Sequence, residues 1–256
     1  MVDSALSHAN RAWRLLMTGL CFSVFGLGGL LLSLTWFNLL LFIQPDPARR
    51  RKTVRTSISW SFQLFLVVTR FVGVFDYRFT GSDLLKQDKG CLIVANHPTL
   101  IDYVLLASVL PDCDCIVKEG ILKNPFMRGV AKAADYLVNS QAETMIETCR
   151  QRLDEGGVIL IFPEGTRSVP GQSVKLQRGA AHIAVRCRRD IRIVRIQCSQ
   201  GFLYKNTKWY KIPPKKPFFT VEVKNKIQVE EFSIGSETST AIFARRLTGY
   251  LTEALT

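Results

Sequence analysis

Acidic residues are scarce in this chain, and charge of either sign is missing from a long N-terminal stretch. The 256 residues include 21 Asp and Glu against 34 Lys and Arg, a formal net charge of +13. No charged residue occurs from Leu15 to Pro45, where Leu, Phe, Val and Gly dominate. The stretch indicates that part of the chain meets lipid. The positive charge favours an anionic partner, whether a membrane surface, a phosphorylated substrate, an acidic carrier protein or nucleic acid.

Cysteine pairs at metal-ligand spacing are also lacking. The seven cysteines are odd in number and scattered through apolar or strand-like segments. The run Cys113-Asp114-Cys115 has no second Cys or His pair at ligand spacing, so we expect no zinc site and no metal cofactor. We expect reduced thiols in a cytosolic setting.

Further absences narrow the functional class. The sequence has no internal repeat, low-complexity tract, zinc finger, basic zipper or aromatic RNA-binding signature, so nucleic acid is not the expected partner. A cleaved signal peptide fits poorly, because the apolar run is long and no small-x-small site ends it.

The charge-free stretch is expected to be a retained membrane anchor. Glycines within 26–29 divide it into arms of about 11 and 14 residues, each too short to cross a bilayer, so a re-entrant helix pair and a single tilted span both remain open. Basic residues flank both ends, and the stronger cluster at 49–55 places the rest of the chain in the cytoplasm. We expect residues 1–75 to form the anchor and 76–256 a catalytic domain facing the cytoplasm from the cytoplasmic (inner) membrane.

A second apolar run, Ser57 to Phe75, is interrupted only by Gln63 and Arg70. It is expected to be either an interfacial helix that packs the anchor against the globular part or a buried core helix.

From Tyr77 onward, short apolar runs alternate with helical periods, which predicts an α/β fold with a mostly parallel sheet flanked by helices. The expected strands are 91–95, 116–117, 136–138, 158–162, 191–198 and 218–223. The expected helices are 100–110, 125–134, 142–155, 176–188 and 238–254. The third of these helices has capping-box spacing at 140–143.

The string Asn-His-Pro-Thr-Leu-Ile-Asp at 96–102 follows a predicted buried strand. Asp102 lies on the helix that Pro98 begins, so its carboxylate can reach back to one ring nitrogen of His97 and leave the other free as a base. No Ser or Cys lies in a nucleophile-elbow string. The nucleophile is therefore expected to be a substrate hydroxyl, which favours direct transfer over a covalent intermediate.

The string Phe-Pro-Glu-Gly-Thr-Arg-Ser at 162–168 ends another predicted strand. It presents Glu164 and Arg167 at the carboxyl edge of the sheet, where open α/β folds bind ligands. Arg167 offers a planar donor fork for phosphate. Glu164 is expected to accept from a substrate hydroxyl or to pair with Arg167 or His97, and a surface turn with an exposed ion pair is the alternative.

Together the two strings, behind an apolar N-terminus, strongly resemble the glycerolipid acyltransferase family, which includes the lysophosphatidic acid acyltransferases. The resemblance covers about 75–223 and implies that family's fold. It also implies acyl transfer from acyl-CoA or acyl-carrier protein to a hydroxyl of a lysolipid or glycerol phosphate, with no metal and no cofactor. Membrane lipids and an acyl thioester donor are the implied partners.

The resemblance also implies roles for individual residues. His97 is the general base and Asp102 its orienter. Glu164, Gly165, Thr166 and Arg167 form the acceptor site, with Lys118 as a second phosphate ligand. Backbone amides near the start of the helix after His97 are expected to hold the thioester oxyanion. Further candidates are Asn96, Lys175 and Arg178.

Two positions depart from the family pattern. Ser140 stands where the family's middle block commonly ends in arginine, and Arg195 stands where the last block usually has proline. Both changes are expected to surround the acceptor site, with Lys175 and Arg178 as replacement cations. His182 is expected to be a structural histidine, and the basic run within 186–195 to face headgroups, an acidic carrier or solvent.

The sequence leaves three functions open. The first is a membrane-bound acyltransferase acting on lysophosphatidic acid. The second has the same chemistry on a specialised lyso-lipid, such as an amino-acid lipid or a polyene-bearing lipid, because of Ser140 and Arg195. The third is a non-catalytic basic membrane protein, or a nucleic-acid binder, which would leave His97, Asp102, Glu164 and Arg167 idle.

Overall fold

The computed structural model describes residues 2–139, 142–169, 171–172, 174–232 and 239–256. In these ranges seven strands form one sheet in the order β1-β7-β6-β2-β5-β3-β4. All neighbouring strands pair in parallel except β6 and β7, which are antiparallel. The strands are β1 Asp76–Thr80, β2 Leu92–Ala95, β3 Cys113–Val117, β4 Leu137–Val138, β5 Val158–Ile161, β6 Ile191–Cys198 and β7 Phe218–Ile227.

Helices cover both faces of the sheet. They are α1 Val2–Leu34, α2 Trp36–Ile43, α3 Pro47–Phe71, α4 Ser82–Gln87, α5 Asp102–Val109, α6 Pro125–Ala133, α7 Ala142–Asp154, α8 Gly179–Cys187 and α9 Thr240–Leu255. Two short 3₁₀ helices lie at Glu119–Lys123 and Val229–Phe232. The predicted α/β fold with a mostly parallel sheet is confirmed, and each expected strand and helix of the catalytic part is found within a few residues. Strand β1 and helix α4 had not been predicted, and the expected capping box at 140–143 lies outside the described residues and side chains.

The core has two layers because strand residues alternate between the faces of the sheet. Ile93 and Leu160 pack on the face that carries α1, α3 and α5. Leu92 and Ile159 pack on the opposite face, against α7, α8 and α9. The N-terminal helices share the first layer with the sheet, and the expected domain boundary at 75 stays a prediction.

Helix α1 continues through the glycines at 26–29, so the expected division of the apolar stretch there is wrong. Glycine costs about 1 kcal/mol in a helix interior, which packing can offset. Here helix α6 crosses at this point, and a Cβ built on Gly29 would lie 3.9 Å from Val130. The break comes instead at Thr35, which lies between α1 and α2 with φ −108° and ψ −77°. The segment His8–Ile43 is long and apolar enough to cross a membrane, judged by length and composition only.

Helix α1 has one buried face and one exposed face, and the exposed face is also apolar. Met17 and Cys21 lie in the core, whereas leucine and valine side chains at intervals of three or four residues face outward. These exposed residues are Leu16, Leu20, Val24, Leu27, Leu31 and Leu34.

Helix α3 combines the two alternatives considered for the second apolar run. Phe62 and Leu66 are buried in the core, while Trp60 is 67% and Phe71 88% exposed on the other side. The helix begins at Pro47 because the Asp46 side chain accepts hydrogen bonds from the first amides, including that of Ala48 at 2.8 Å.

A buried ion pair joins α3 to β3. The Arg55 guanidinium donates to Asp114 Oδ2 at 3.1 Å and to the Ala134 carbonyl at 2.9 Å. Asp114 therefore anchors the N-terminal helix α3 to the sheet through its ion pair with Arg55. Burial raises the pKa of the neighbouring Cys113 thiol to about 12, which keeps it protonated.

Candidate active site

The two sequence strings meet at one edge of the sheet. β2 and β5 are parallel neighbours, with Val94 opposite Ile161, so the residues that follow them emerge side by side. The Ser168 amide donates to the His97 carbonyl at 2.8 Å, which ties the second string to the first. The predicted juxtaposition is therefore present.

His97 and Asp102 form a hydrogen-bonded pair. His97 Nδ1 lies 2.9 Å from Asp102 Oδ2. Asp102 is the first residue of α5 and is fully buried, whereas the His97 side chain is 21% exposed. With Nδ1 occupied by the carboxylate, Nε2 is the ring atom that can take a proton from a substrate.

Thr99 holds the Asp102 carboxylate in place. Its backbone amide donates to Asp102 Oδ2 at 2.6 Å, and its hydroxyl donates to the other carboxylate oxygen. Burial raises the pKa of Asp102 above its ordinary value, although the hydrogen bonds from His97 and Thr99 act in the opposite direction. When ionised, the carboxylate is held where it can stabilise an imidazolium on His97.

Phe162 is a neighbour of His97 that sequence reasoning missed. The two rings stack with centroids 4.4 Å apart and an interplanar angle of 28°. Because Phe162 directly follows β5, the strand register places it beside the residues that follow β2. Its position in the motif was visible in the sequence, but its contact required the register.

Glu164 connects the two strings from a buried position. Its Oε1 accepts from the His97 backbone amide at 2.7 Å, and its Oε2 accepts from the Ser168 hydroxyl at 2.6 Å. The side chain is only 8% exposed, so the alternative of an exposed ion pair on a surface turn is wrong. Gly165 forms the turn that follows, with a φ of +65° that favours glycine.

Arg167 is held by the long loop 199–217 between β6 and β7. Its Nη1 donates to the Leu203 carbonyl at 3.1 Å. The same loop returns to the first string, where the Leu100 amide donates to the Leu203 carbonyl at 3.1 Å and Thr99 bridges to Tyr204. No motif in the sequence predicts a role for this part of the loop.

Three of the backbone amides after His97 are engaged within the protein. The Thr99 amide donates to Asp102, the Leu100 amide to Leu203, and the Ile101 amide to the Thr99 hydroxyl at 3.2 Å. All three are already used inside the protein, so an oxyanion site at this helix start would have to use other amides, and the expectation stays a prediction.

The remaining predicted site residues differ in their setting. The Asn96 side chain binds the backbone of Ile196 through both its oxygen and its nitrogen, at 2.6 and 2.8 Å, and so fastens β2 to β6. Lys118 directly follows β3 and is exposed, as is Thr166 at the tip of the second turn. Lys175 and Arg178 are exposed on either side of Gln177, whose amide donates to the Pro163 carbonyl at 2.7 Å.

Arg195 does not join the acceptor site, contrary to expectation. Val194 and Ile196 belong to the core layer that includes α5, so alternation directs Arg195 to the other face. There its guanidinium donates to the carbonyl of Thr256 after α9. Ser140, the other departure, lies outside the described residues.

Within the ranges that the structure describes, no group of three or more His, Cys, Asp or Glu side chains is placed to hold a metal ion. No Ser or Cys side chain there bonds to the His97 ring either. An α/β sheet that places a histidine against a buried carboxylate is suited to a class of enzyme that uses general-base chemistry.

Comparison with known proteins specifies this class. A family model described as Acyltransferase matches residues 76–199. Human 1-acyl-sn-glycerol-3-phosphate acyltransferase beta is 30% identical over 60% of this chain, and the match spans 57% of the human protein. The 1-acyl-sn-glycerol-3-phosphate acyltransferase of Pseudomonas aeruginosa is 27% identical over 71% of each chain. These matches support the glycerolipid acyltransferase family for residues 76–199.

The fold has a counterpart among solved structures. The 1-acyl-sn-glycerophosphate (LPA) acyltransferase PlsC from Thermotoga maritima superposes with a TM-score of 0.67, covering 97% of each chain at 20% identity. The likeness extends over the N-terminal helices as well as the sheet.

Proposed function

We propose that this protein is a membrane-associated O-acyltransferase that moves a fatty acyl group from an acyl thioester to the free hydroxyl of lysophosphatidic acid. The observation that carries the proposal is the His97 Nδ1 to Asp102 Oδ2 hydrogen bond of 2.9 Å to a fully buried carboxylate. It leaves Nε2 as the base and needs no protein nucleophile. The related proteins from human and Pseudomonas aeruginosa, both named 1-acyl-sn-glycerol-3-phosphate acyltransferases, support the choice of acceptor.

The chemistry then runs through a single base. His97 Nε2 takes the proton from the acceptor hydroxyl as its oxygen attacks the thioester carbonyl carbon. A C–O bond forms, and collapse of the tetrahedral intermediate breaks the C–S bond. The leaving sulfur receives the proton from His97, so the imidazole ends in its starting state. Asp102 stabilises the imidazolium between these steps.

Arg167 is suited to the acceptor's phosphate. One of its nitrogens is anchored by the Leu203 carbonyl, and guanidinium has five N–H donors, so its remaining donors can pair with phosphate oxygens. Lys118, Lys175 and Arg178 add exposed positive charge around this edge of the sheet. Glu164 has one hydrogen bond on each oxygen and retains acceptor capacity for a hydroxyl.

Membrane association is proposed from the outer faces of α1 and α3. Leu20, Val24 and Leu27 are each more than half exposed, as are Trp60 and Leu64. A soluble protein seldom exposes such a continuous apolar surface. The basic residues after the apolar stretch support an orientation with the catalytic part on the cytoplasmic side of the inner membrane. Acyl-CoA and acyl-carrier protein are both candidate donors, the latter because of the basic surface.

A specialised lyso-lipid acceptor finds no structural support. That alternative depended on Ser140, which lies outside the described residues, and on Arg195, which is engaged by Thr256.

The proposal is tested by incubating purified protein with a panel of lyso-lipids and either labelled acyl-CoA or acyl-carrier protein, then identifying products by mass. We expect phosphatidic acid from lysophosphatidic acid, and no product with His97→Ala. Ester formation that is unaffected in His97→Ala would overturn the mechanism, and preference for a lysolipid without a phosphomonoester would overturn the acceptor.

A further inference from the structure

A second cleft lies apart from the His97 site. It is open to solvent and has a volume of about 760 Å³. The start of α1, the end of α3 and the last part of the loop 199–217 form its walls. Its walls include Trp13, Phe71, Lys215 and Lys216. None of its lining residues belongs to the acyl-transfer site described above.

Hydrogen bonds from Trp13 and Arg14 hold the walls of the cleft together. Arg14 is only 3% exposed, and its guanidinium donates to the carbonyls of Pro214 at 2.7 Å and Lys215 at 3.0 Å. Trp13 Nε1 donates to the Val72 carbonyl at 2.9 Å, which joins α1 to the end of α3. The main chain that carries the two lysines is therefore fixed against α1.

The charge of the cleft is positive. Residues 199–217 contain five lysines and no acidic residue. Lys215 and Lys216 are both exposed. Lys216 lies 3.4 Å from Asp76, but that carboxylate already accepts from Arg70 at 2.6 Å. One acid shared by two cations leaves a positive excess at the cleft.

The cleft opens onto the apolar outer faces of the N-terminal helices. Phe71, at its edge, is 88% exposed, and Trp13 is 53% exposed. On α1 the next outward residue is Leu16, and on α3 the residues before Phe71 include the exposed Val67. Lysines and tryptophan at the end of an apolar helical surface are typical of the headgroup level of a membrane.

We propose that this cleft binds the phosphate headgroup of an anionic phospholipid that is not a substrate. Lys215 and Lys216 face the phosphate, and Trp13 and Phe71 contact the glycerol and the first part of the acyl chains. The inference rests on the membrane association proposed above and is independent of acyl transfer.

The test uses the full-length protein with Trp36, Trp60 and Trp209 replaced by Phe, so that Trp13 alone fluoresces. The protein is studied in dodecyl maltoside micelles that contain phosphatidylglycerol or phosphatidylcholine with brominated acyl chains, which quench a tryptophan in contact with them. We expect half-quenching at a roughly 25-fold lower mole fraction of phosphatidylglycerol, about fivefold for each lysine.

Paired variants separate the cleft from diffuse charge attraction. Lys215→Gln with Lys216→Gln should bring the two lipids to nearly equal quenching. Lys86→Gln with Lys123→Gln removes the same charge from exposed sites outside the cleft and should keep the preference. Equal quenching by both lipids in the parent protein, or an equal loss in both double variants, would overturn the site.

Competition with free phosphate and a variant without acyl transfer provide two further controls. Inorganic phosphate at about 10 mM, which is well below physiological ionic strength, should leave the quenching by phosphatidylglycerol unchanged. Loss of this quenching on addition of phosphate would mean that the cleft is a site for free anions instead. The measurement is repeated with His97→Ala, where we expect the same lipid preference. Preference for phosphatidylglycerol in a parent protein that shows no acyl transfer would reject the proposed function alone, whereas acyl transfer by a parent protein without that preference would reject this site alone.

Discussion

Arg167 Nη1 donates to the carbonyl oxygen of Leu203 at 3.1 Å, which joins the second sequence string to the loop between β6 and β7. Leu203 is 2% exposed and has a φ of +59°, so the surrounding packing holds it in a conformation that few leucines adopt. The contact sets the direction of the guanidinium before any substrate arrives.

Arg167→Ala is expected to raise the KM for the lysolipid acceptor by about 10- to 100-fold and to change the KM for the thioester little, because a charge-assisted hydrogen bond contributes about 1.5–3 kcal/mol. Steady-state kinetics with each substrate varied in turn measures the difference. Arg167→Lys keeps the charge but not the planar donor fork, so its KM for the acceptor should lie between those of the parent protein and Arg167→Ala. Equal increases for both substrates would argue against binding of the acceptor phosphate.

His97→Ala is expected to lower kcat by about 100- to 10,000-fold, since general-base catalysis contributes a factor of this size. The matched control is His182→Ala, which alters a half-buried histidine of α8 outside the site and should retain nearly full activity. Single-turnover assays with saturating substrates measure the effect, and circular dichroism establishes that both variants fold. Comparable activity of the two variants would reject His97 as the base.

The buried Asp102 predicts opposite responses of activity and stability to pH. Its folded pKa is raised by burial, so the folded protein binds this proton more tightly than the unfolded chain does. The contribution to the free energy of unfolding is therefore greatest below the ordinary Asp pKa and decreases as the pH rises through the raised value. Activity should rise over the same window, because the ionised carboxylate is the form that stabilises the imidazolium.

Activity profiles and denaturant unfolding across this acidic range measure both curves. Asp102→Asn removes the titrating group and should abolish the part of the stability change that belongs to it. Activity and stability that rise together in the parent protein would contradict the assignment.

Phe162→Leu is expected to lower kcat by roughly 3- to 10-fold and to leave both KM values nearly unchanged, because an aromatic stack contributes about 0.5–1.5 kcal/mol beyond its buried area. The ring positions His97 rather than reacting itself. Phe162→Tyr keeps the stack and should retain kcat. A Leu variant with parental kcat would show that the 4.4 Å stacking contact has no catalytic consequence.

Replacing Leu20, Val24 and Leu27 with serine is expected to weaken binding to membranes strongly, since each exposed leucine or valine contributes apolar area to the contact with lipid. Co-sedimentation with liposomes measures the change. The control places serine at Ile242 and Tyr250, which are exposed on α9, and should still sediment. Equal behaviour of the two variants would assign membrane contact to another surface.

Deletion through residue 56 is a poorer test, because it removes Arg55 and leaves Asp114 buried without its partner.

The sequence by itself determined the fold class and the pairing of His97 with Asp102. Residue periodicity is local information, so the strands at 158–161 and 191–198 and the helices on either side followed from the order of apolar residues. Asp102 is the first residue of α5 and His97 lies five residues before it, so a short local segment settles their contact. Glu164 and Arg167 could be placed at the same edge because parallel strands bring their carboxyl ends together.

Tertiary structure decided everything that depends on contacts between distant parts of the chain. The glycines of α1 predicted a break, but packing against Val130 of α6 keeps the helix continuous. The sequence offered Arg195 as a change to the acceptor site, and strand alternation directs it to Thr256 instead. The hydrogen bond from Arg167 to the Leu203 carbonyl joins residues 36 positions apart. It depends on the path of a long loop, and that path is fixed by packing on one face of the sheet rather than by a local sequence pattern.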